Sequence, residues 1–369
     1  MRTIAIVVAL SVFNGGPAAA MDVPLEVPGN HGGFLHFAFS PDGTRVAGGT
    51  GTVISTIGGR EEVAGGEVIL WNTRTGRILL TLGNHGASVH WVAFSADGAV
   101  LASASDGNGV LKVWDGKTGD LRQTLKLPDE LGSSSNGGAP LCALSADGKS
   151  IAAVAVKRMP MGRTKVRTGD ELIVWDTATG KPRWHLAGSN IHALAFSADG
   201  ATLAAFAMRV DWKPSTDGAS ATGARTDQRF VAWDAATGKE RFGVEANRST
   251  PGTLAFVPGV GLVAVDGRKL LQLDPAAGIS VKEIELATKS SLRGLAFSPD
   301  GRRFAAGKLM GDGIEWGETA TGKITGAQEF KAQRFTEVAF SADLKRAAGL
   351  QKFTPIVIDL APALVDDAR

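Results

Sequence analysis

One phrase recurs along the chain and limits what it can fold into. It reads FAFSPDG at Phe37–Gly43, VAFSADG at Val92–Gly98, CALSADG at Cys142–Gly148 and LAFSADG at Leu194–Gly200. A decayed copy, LAFVPGV, stands at Leu254–Val260, followed by LAFSPDG at Leu295–Gly301 and VAFSADL at Val338–Leu344. A second phrase alternates with the first. It appears as LWNTRTG from Leu70, VWDGKTG from Val113, VWDTATG from Val174 and AWDAATG from Ala232. Weaker forms are QLDPAAG from Gln272, EWGETATG from Glu315 and VIDLA from Val357. Each unit reads as an apolar strand, an Asp-Gly turn, a second strand such as LASAS at Leu101–Ser105, a third strand carrying Trp, a Thr-Gly turn and a fourth strand such as RILLTL at Arg77–Leu82. Asp and Gly suit tight hairpin turns because Gly tolerates positive φ. A single four-stranded sheet cannot bury both of its faces, so such units must stack. A closed ring buries every face, and the 48 glycines fit a chain of many short strands and tight turns.

The Ser-Pro-Asp-Gly turn, the Trp-Asp dipeptide and the Thr-Gly turn resemble those of the WD40-repeat family of β-propellers. The resemblance covers residues from about 22 to 360, and it implies a bacterial, exported type of that family. The expected fold is all-β: a seven-bladed β-propeller of four-stranded antiparallel blades. Departures are visible. The fifth unit has Leu273-Asp274 in place of Trp-Asp, and the seventh has Ile358-Asp359. The repeat spacing runs from 41 to 60 residues, longer than the family's usual period of about 40–45. After Val357–Leu360 no fourth strand follows, yet PLEVPGNHGG at Pro24–Gly33 matches the fourth-strand exit LLTLGNHGA at Leu79–Ala87. Val23–Val27 is therefore expected to pair with Thr354–Asp359 and close the last blade, which removes an exposed sheet edge.

The resemblance also implies a structural hydrogen-bond network in blade two, made of His85, Ser103 (or Ser105), Asp106 and Trp114. The Asp spacing is imperfect, and Asn108 is the alternative partner. His31 also follows Gly-Asn ahead of a blade. No catalytic signature is present: there is no Gly-x-Ser-x-Gly elbow, no Walker-type loop and no His-Glu-x-x-His. Calcium-loop spacing of Asp residues is absent too. The adjacent acids Glu61-Glu62 and Asp170-Glu171 read as solvated loop residues. Cys142, the single cysteine, lies in an apolar strand and reads as a small buried hydrophobe, so no disulfide or cysteine-rich zinc site is expected.

Formal net charge is +2, too small for a general polyanion binder, so no specific nucleic acid is expected as a partner. The N-terminus reads as a signal peptide over residues 1–20: Arg2, an apolar run from Ile4 to Phe13, and small residues at Ala18-Ala19-Ala20. The run is short for a membrane span. Asn14-Gly15-Gly16-Pro17 would break a strand there. The chain is thus expected to be exported, periplasmic or secreted, with residues 21–369 forming one monomeric propeller domain. A start at Met21 would instead leave it cytoplasmic.

In such a ring the Asp-Gly and Thr-Gly turns share one face, and the second-to-third-strand loops share the other with the blade-to-blade connections. Extra length falls on that other face, at Gly51–Gly66, Lys157–Gly169 and Arg209–Asp227, with a further insertion at Pro128–Gly138. The blade-three segment holds Lys157, Arg158, Arg163, Lys165 and Arg167, with Met159 and Met161 between them. The blade-four segment adds Arg209, Trp212, Lys213 and Arg225, offset by Asp211, Asp217 and Asp227. Trp and Arg are favoured interface anchors, so this face is the candidate site for an unidentified protein or peptide partner. A second candidate is the channel mouth, with His36, His90, Trp91, His192, Arg293 and Glu337 just before the inner strands. Two functional classes follow. The first is a non-enzymatic protein-binding scaffold with no cofactor and no metal. The alternative is an exported propeller enzyme, similar to lactonase-like or quinoprotein-like propellers, acting at the channel mouth.

Overall fold

A computed structural model describes residues 22–28, 32–57, 60–83, 85–106, 108–128, 132–133, 141–161, 164–214, 221–246, 253–266, 268–274, 279–288, 292–308, 313–330 and 335–360. The described residues form seven blades of antiparallel strands. Blade one pairs Phe34–Phe39, Arg45–Thr50, Val68–Asn72 and Ile78–Leu82 in that order, and blade two pairs Val89–Phe94, Val100–Ser105, Val110–Asp115 and Leu121–Lys126. Blade three begins with Cys142–Leu144, Ser150–Met161 and Thr164–Asp176. Its fourth strand is the first half of Pro182–Phe196, whose second half is the first strand of blade four. Blade four continues with Thr202–Pro214, Ala221–Asp234 and Glu240–Glu245. Blade five runs from Thr253–Val257 to Ile279–Glu285, and blade six from Leu292–Phe297 to Ile324–Glu329. Blade seven comprises Phe335–Phe340, Arg346–Gln351 and Thr354–Asp359, completed by Val23–Pro24.

The first strand of each blade touches the first strand of the next, and that of blade seven touches that of blade one, so the ring closes. Apolar residues of facing sheets meet at each junction. Between blades one and two, Ala47, Val68 and Leu70 pack on Leu101 and Trp114. Between blades four and five, Phe206 and Phe230 pack on Leu262 and Leu271. Burying such side chains contributes about 1.5–3 kcal/mol apiece, which gives the stacking its drive.

The closure expected from the N-terminal segment is present in a shorter form. Val23 pairs with Val357 and Pro24 with Ile356, and Leu25 N–H donates to the Pro355 carbonyl at 2.9 Å. The segment then leaves blade seven for blade one, so the expected pairing through Val27 is not made. Glu26 accepts from the Trp71 indole at 2.7 Å through its carbonyl and from Ile78 N–H at 2.9 Å through its carboxylate. A second clasp across the same seam is Arg346, which donates to the Gly43 carbonyl at 2.7 Å and to Thr73 Oγ1 at 2.6 Å.

The repeated turn has a common construction. In the six copies that keep the phrase, Ser Oγ donates to Asp Oδ1 two residues on, from 2.5 Å at Ser197–Asp199 to 2.7 Å at Ser145–Asp147. The Gly position then has φ of 65° at Gly43 and 68° at Gly98. In the seventh copy Leu344 stands there with φ 56° and is fully buried.

Trp316 departs from the expected repeat. Its Thr-Gly turn falls one residue later than in the other units, so Gly317 takes the register position opposite Phe304 that Trp114 takes opposite Leu101. A one-residue slip turns a side chain to the other face of the sheet. Trp71, Trp114, Trp175 and Trp233 pack toward the preceding blade. Trp316 packs toward the following one, against Ala347, Ile356 and Ile358.

Candidate partner-binding face

The segments read as long loops in blades one, three and four are β-ribbons. In blade one Val53–Ile57 pairs with Arg60–Ala64 as a separate hairpin. Glu61 and Glu62 therefore lie on a strand, opposite Thr56 and Ser55, and not on a loop. In blade three the second and third strands stay paired outward from Val156 and Asp170 to Met161 and Thr164. In blade four they stay paired to Pro214 and Ala221. Five further residues of strand carry the blade-three ribbon about 16 Å beyond the ring at a rise of about 3.3 Å each. The pairing continues although Pro160 and Gly169 in blade three and Gly223 in blade four are weak strand formers, because each ribbon prolongs a sheet already formed. The insertion at Pro128–Gly138 places Gly132–Ser133 beside Val156 and Ala155, at the base of the blade-three ribbon.

Lys157, Arg158, Met159, Lys165 and Arg167 occupy ribbon positions in blade three, and Trp212 and Lys213 occupy ribbon positions in blade four. Arg163 lies outside the described residues. Arg209 is exposed at the base of the blade-four ribbon, opposite Thr226. On the same face blade seven has a two-residue turn, Lys352–Phe353, between the paired residues Gln351 and Thr354. Its φ values are 49° and 68°, and Phe353 is 91% exposed. The sequence reading missed this exposed aromatic; the signal was the short gap between the GLQ and TPIVID strands.

Asp170 is a correction. It is 2% exposed and not solvated, because its carboxylate accepts from Ile191 N–H at 2.6 Å just where one strand passes from blade three to blade four. Its neighbour Glu171 faces outward and meets His185 Nδ1 at 2.6 Å.

The residues proposed for the channel mouth lie within the first strands, not before them. His90 and His192 are the extra residues of β-bulges, between Val89 and Trp91 and between Ile191 and Ala193. Such bulges re-aim a side chain. In blades six and seven the bulges span Arg293–Ala296 and Thr336–Ala339, and they contain Gly294 at φ 59° and Glu337 at φ 54°. Glu337 is exposed, and Trp91 packs on the core between blades two and three. His36 accepts from Val92 N–H at 3.3 Å, and burial beside His90 pulls its pKa down to about 4. Burial also lowers the pKa of His90, against the pull of the Asp106 carboxylate. His36 and His90 are thus brought together, while His192 stands two blades from His90. Among the described residues no three His, Cys, Asp or Glu side chains are grouped so as to hold a metal ion.

In blade two, Trp114 Nε1 donates to Ser103 Oγ at 2.8 Å, and Ser103 Oγ meets His85 Nε2 at 2.8 Å. The indole proton occupies one lone pair of Ser103 Oγ, and the neutral imidazole takes another of its hydrogen-bonding positions. Burial, helped by Lys112, lowers the His85 pKa to about 3. Asn108, and not Asp106, meets His85: its amide donates to the His85 carbonyl at 2.6 Å. Asp106 follows directly on the second strand and sits beside His90 instead. Cys142 is buried, and burial pushes its thiol pKa up, so it is a poor nucleophile.

A family model described as WD domain, G-beta repeat, matches residues 76–115. That span runs from the Thr-Gly turn of blade one through the Trp114-Asp115 pair of blade two. No curated protein matches the chain. Among the described residues no helix is long and apolar enough to cross a membrane. The chain is a seven-bladed β-propeller that carries a WD40 repeat.

Proposed function

We propose that the chain is an exported, non-catalytic scaffold that binds a protein or peptide partner through the face carrying the ribbons. The observation behind this reading is the paired extension of strands in blades three and four, with the separate hairpin of blade one, all on one face of a rigid ring. Ordered ribbon of this kind costs about 1–2 kcal/mol of backbone entropy per residue. The turns on the opposite face stay short. Function in a ring of this kind sits on segments held out by the scaffold, and a propeller alone names no function. Export is supported by Arg2, the apolar run to Phe13 and the Ala18–Ala20 triplet.

The test is an affinity capture from the producing cell with the intact chain and with one in which 158–167 is replaced by a short turn. The intact chain should retain a partner that the shortened chain loses. Equal capture by both would reject the ribbon face as the binding site. N-terminal sequencing of the recovered chain should find its first residue just after Ala20.

A further inference from the structure

The register of the blade-three ribbon sorts its residues by chemistry. Arg158 stands opposite Arg167 and Pro160 opposite Lys165, while Met159 stands opposite Val166 and Met161 opposite Thr164. Successive positions of a strand alternate between the two faces, and cross-strand partners share a face. Arg158, Lys165 and Arg167 therefore take positions on one face of the ribbon, and Met159, Met161 and Val166 take positions on the other. Five basic residues fall in 157–169, and no Asp or Glu falls among them.

Three arginines of the turn face, by contrast, stand close in sequence to an acid. On the turn face, Arg122, Arg183 and Arg241 each meet the Asp seven residues earlier, at 2.5, 2.6 and 2.7 Å. The blade-four ribbon mixes Arg209, Lys213 and Arg225 with Asp211 and Asp227. Like charges directly opposite on a ribbon disfavour it, so the Arg158–Arg167 register works against the ribbon's own stability. A carboxylate set between the two guanidinium groups reverses that effect, since Arg takes carboxylates in a bidentate fork.

Resting on the scaffold reading above, we propose that the basic face of the blade-three ribbon docks an acidic, extended polypeptide segment with Asp or Glu at alternate positions. Alternation matches the two-residue period of the ribbon. A bilayer is the poorer fit, because only three apolar positions, Met159, Met161 and Val166, share the other face of the ribbon, which is little to anchor in a membrane. Nucleic acid fits less well too, because the chain's net charge is only +2.

The experiment is fluorescence anisotropy on the full chain with a short labelled peptide alternating Glu and Ala. The intact chain should bind it, more weakly as salt rises. R158E/R167E should lose the peptide by about tenfold or more and gain a peptide alternating Lys and Ala. That variant keeps a like-charge pair in the same register, so its ribbon is no more strained than the original. R158K/R167K, which keeps the charge but not the fork, should bind more weakly than the intact chain and more tightly than R158E/R167E, and K181E/K239E, on the turn face, should retain all of the binding. No binding by the intact chain overturns the proposal. So does equal loss in K181E/K239E, or a preference for heparin or phosphatidylserine vesicles over the peptide. If the cellular partner is lost on shortening 158–167 but kept by R158E/R167E, the scaffold reading stands and the acidic-partner inference falls.

Discussion

At Leu344 backbone conformation and burial pull in opposite directions. A left-handed conformation costs a side-chain-bearing residue about 1–2 kcal/mol, and Leu344 holds φ 56° where five of the other units have Gly. It is also fully buried against blade six, and truncating a buried Leu costs about 2–5 kcal/mol. Burial outweighs the backbone cost, so Leu344→Gly should destabilise by about 1–3 kcal/mol in a urea titration, although it restores the favoured turn residue. A second prediction concerns His85. Its pKa falls from an ordinary 6.5 to about 3 on folding, so the folded state prefers it neutral. That preference adds stability which is complete above 6.5 and is lost as pH falls toward 3. The urea midpoint should therefore drop between pH 7 and 4, and more shallowly in a His85→Gln chain. The residues of the blade-two network were legible in the sequence as a set. The choice of Asn108 over Asp106 was not, because it depends on where the short turn brings its amide under the His85 carbonyl.

At the scale of strands, the phrases located every blade, but phrase matching is blind to a one-residue shift. Trp316 reads as the Trp of the sixth unit, yet the extra residue before its Thr-Gly turn sends it to the opposite junction. Its ring then lies over Gly326, where an added Cβ would come within 2.5 Å of Nε1 and Cε2. Gly326→Ala should lower stability by about 1–3 kcal/mol, as overpacking does. Adding Trp316→Leu should recover part of that loss, measured in the same titration. The ribbons failed to show in the sequence for another reason. Gly, Thr and Lys in 157–169 suggest loop by composition, while the pairing that makes them strand comes from two segments continuing a sheet already formed.

For the ring as a whole, the seam between blades seven and one is where stability should be most vulnerable. Removing 22–28 takes away the buried Leu25, the pairing of Val23 and Pro24, and the hydrogen bonds of Glu26. With about 1 kcal/mol per hydrogen bond and about 2 kcal/mol for the Leu, the loss is about 4–6 kcal/mol. The expected outcome is a sharply lower melting temperature and a tendency to associate through the uncovered edge of Thr354–Asp359. An unchanged melting temperature would mean that Arg346 and the apolar packing between blades seven and one hold the seam without the N-terminal segment. The closure was legible because a fourth-strand phrase lay orphaned at the N-terminus; its short reach was not, because it depends on Glu26 turning to blade one.

The same seam sets an order of events during synthesis. Val23 emerges ahead of blade one, and its partner Val357 only with the last strand of blade seven. Every blade between them can form as soon as its own strands are made, but the circle stays open until the last strand arrives. A ribosome stalled before residue 354 therefore leaves an arc with two bare ends, and Val23 and Pro24 must wait, unpaired, for the strand that begins at Thr354.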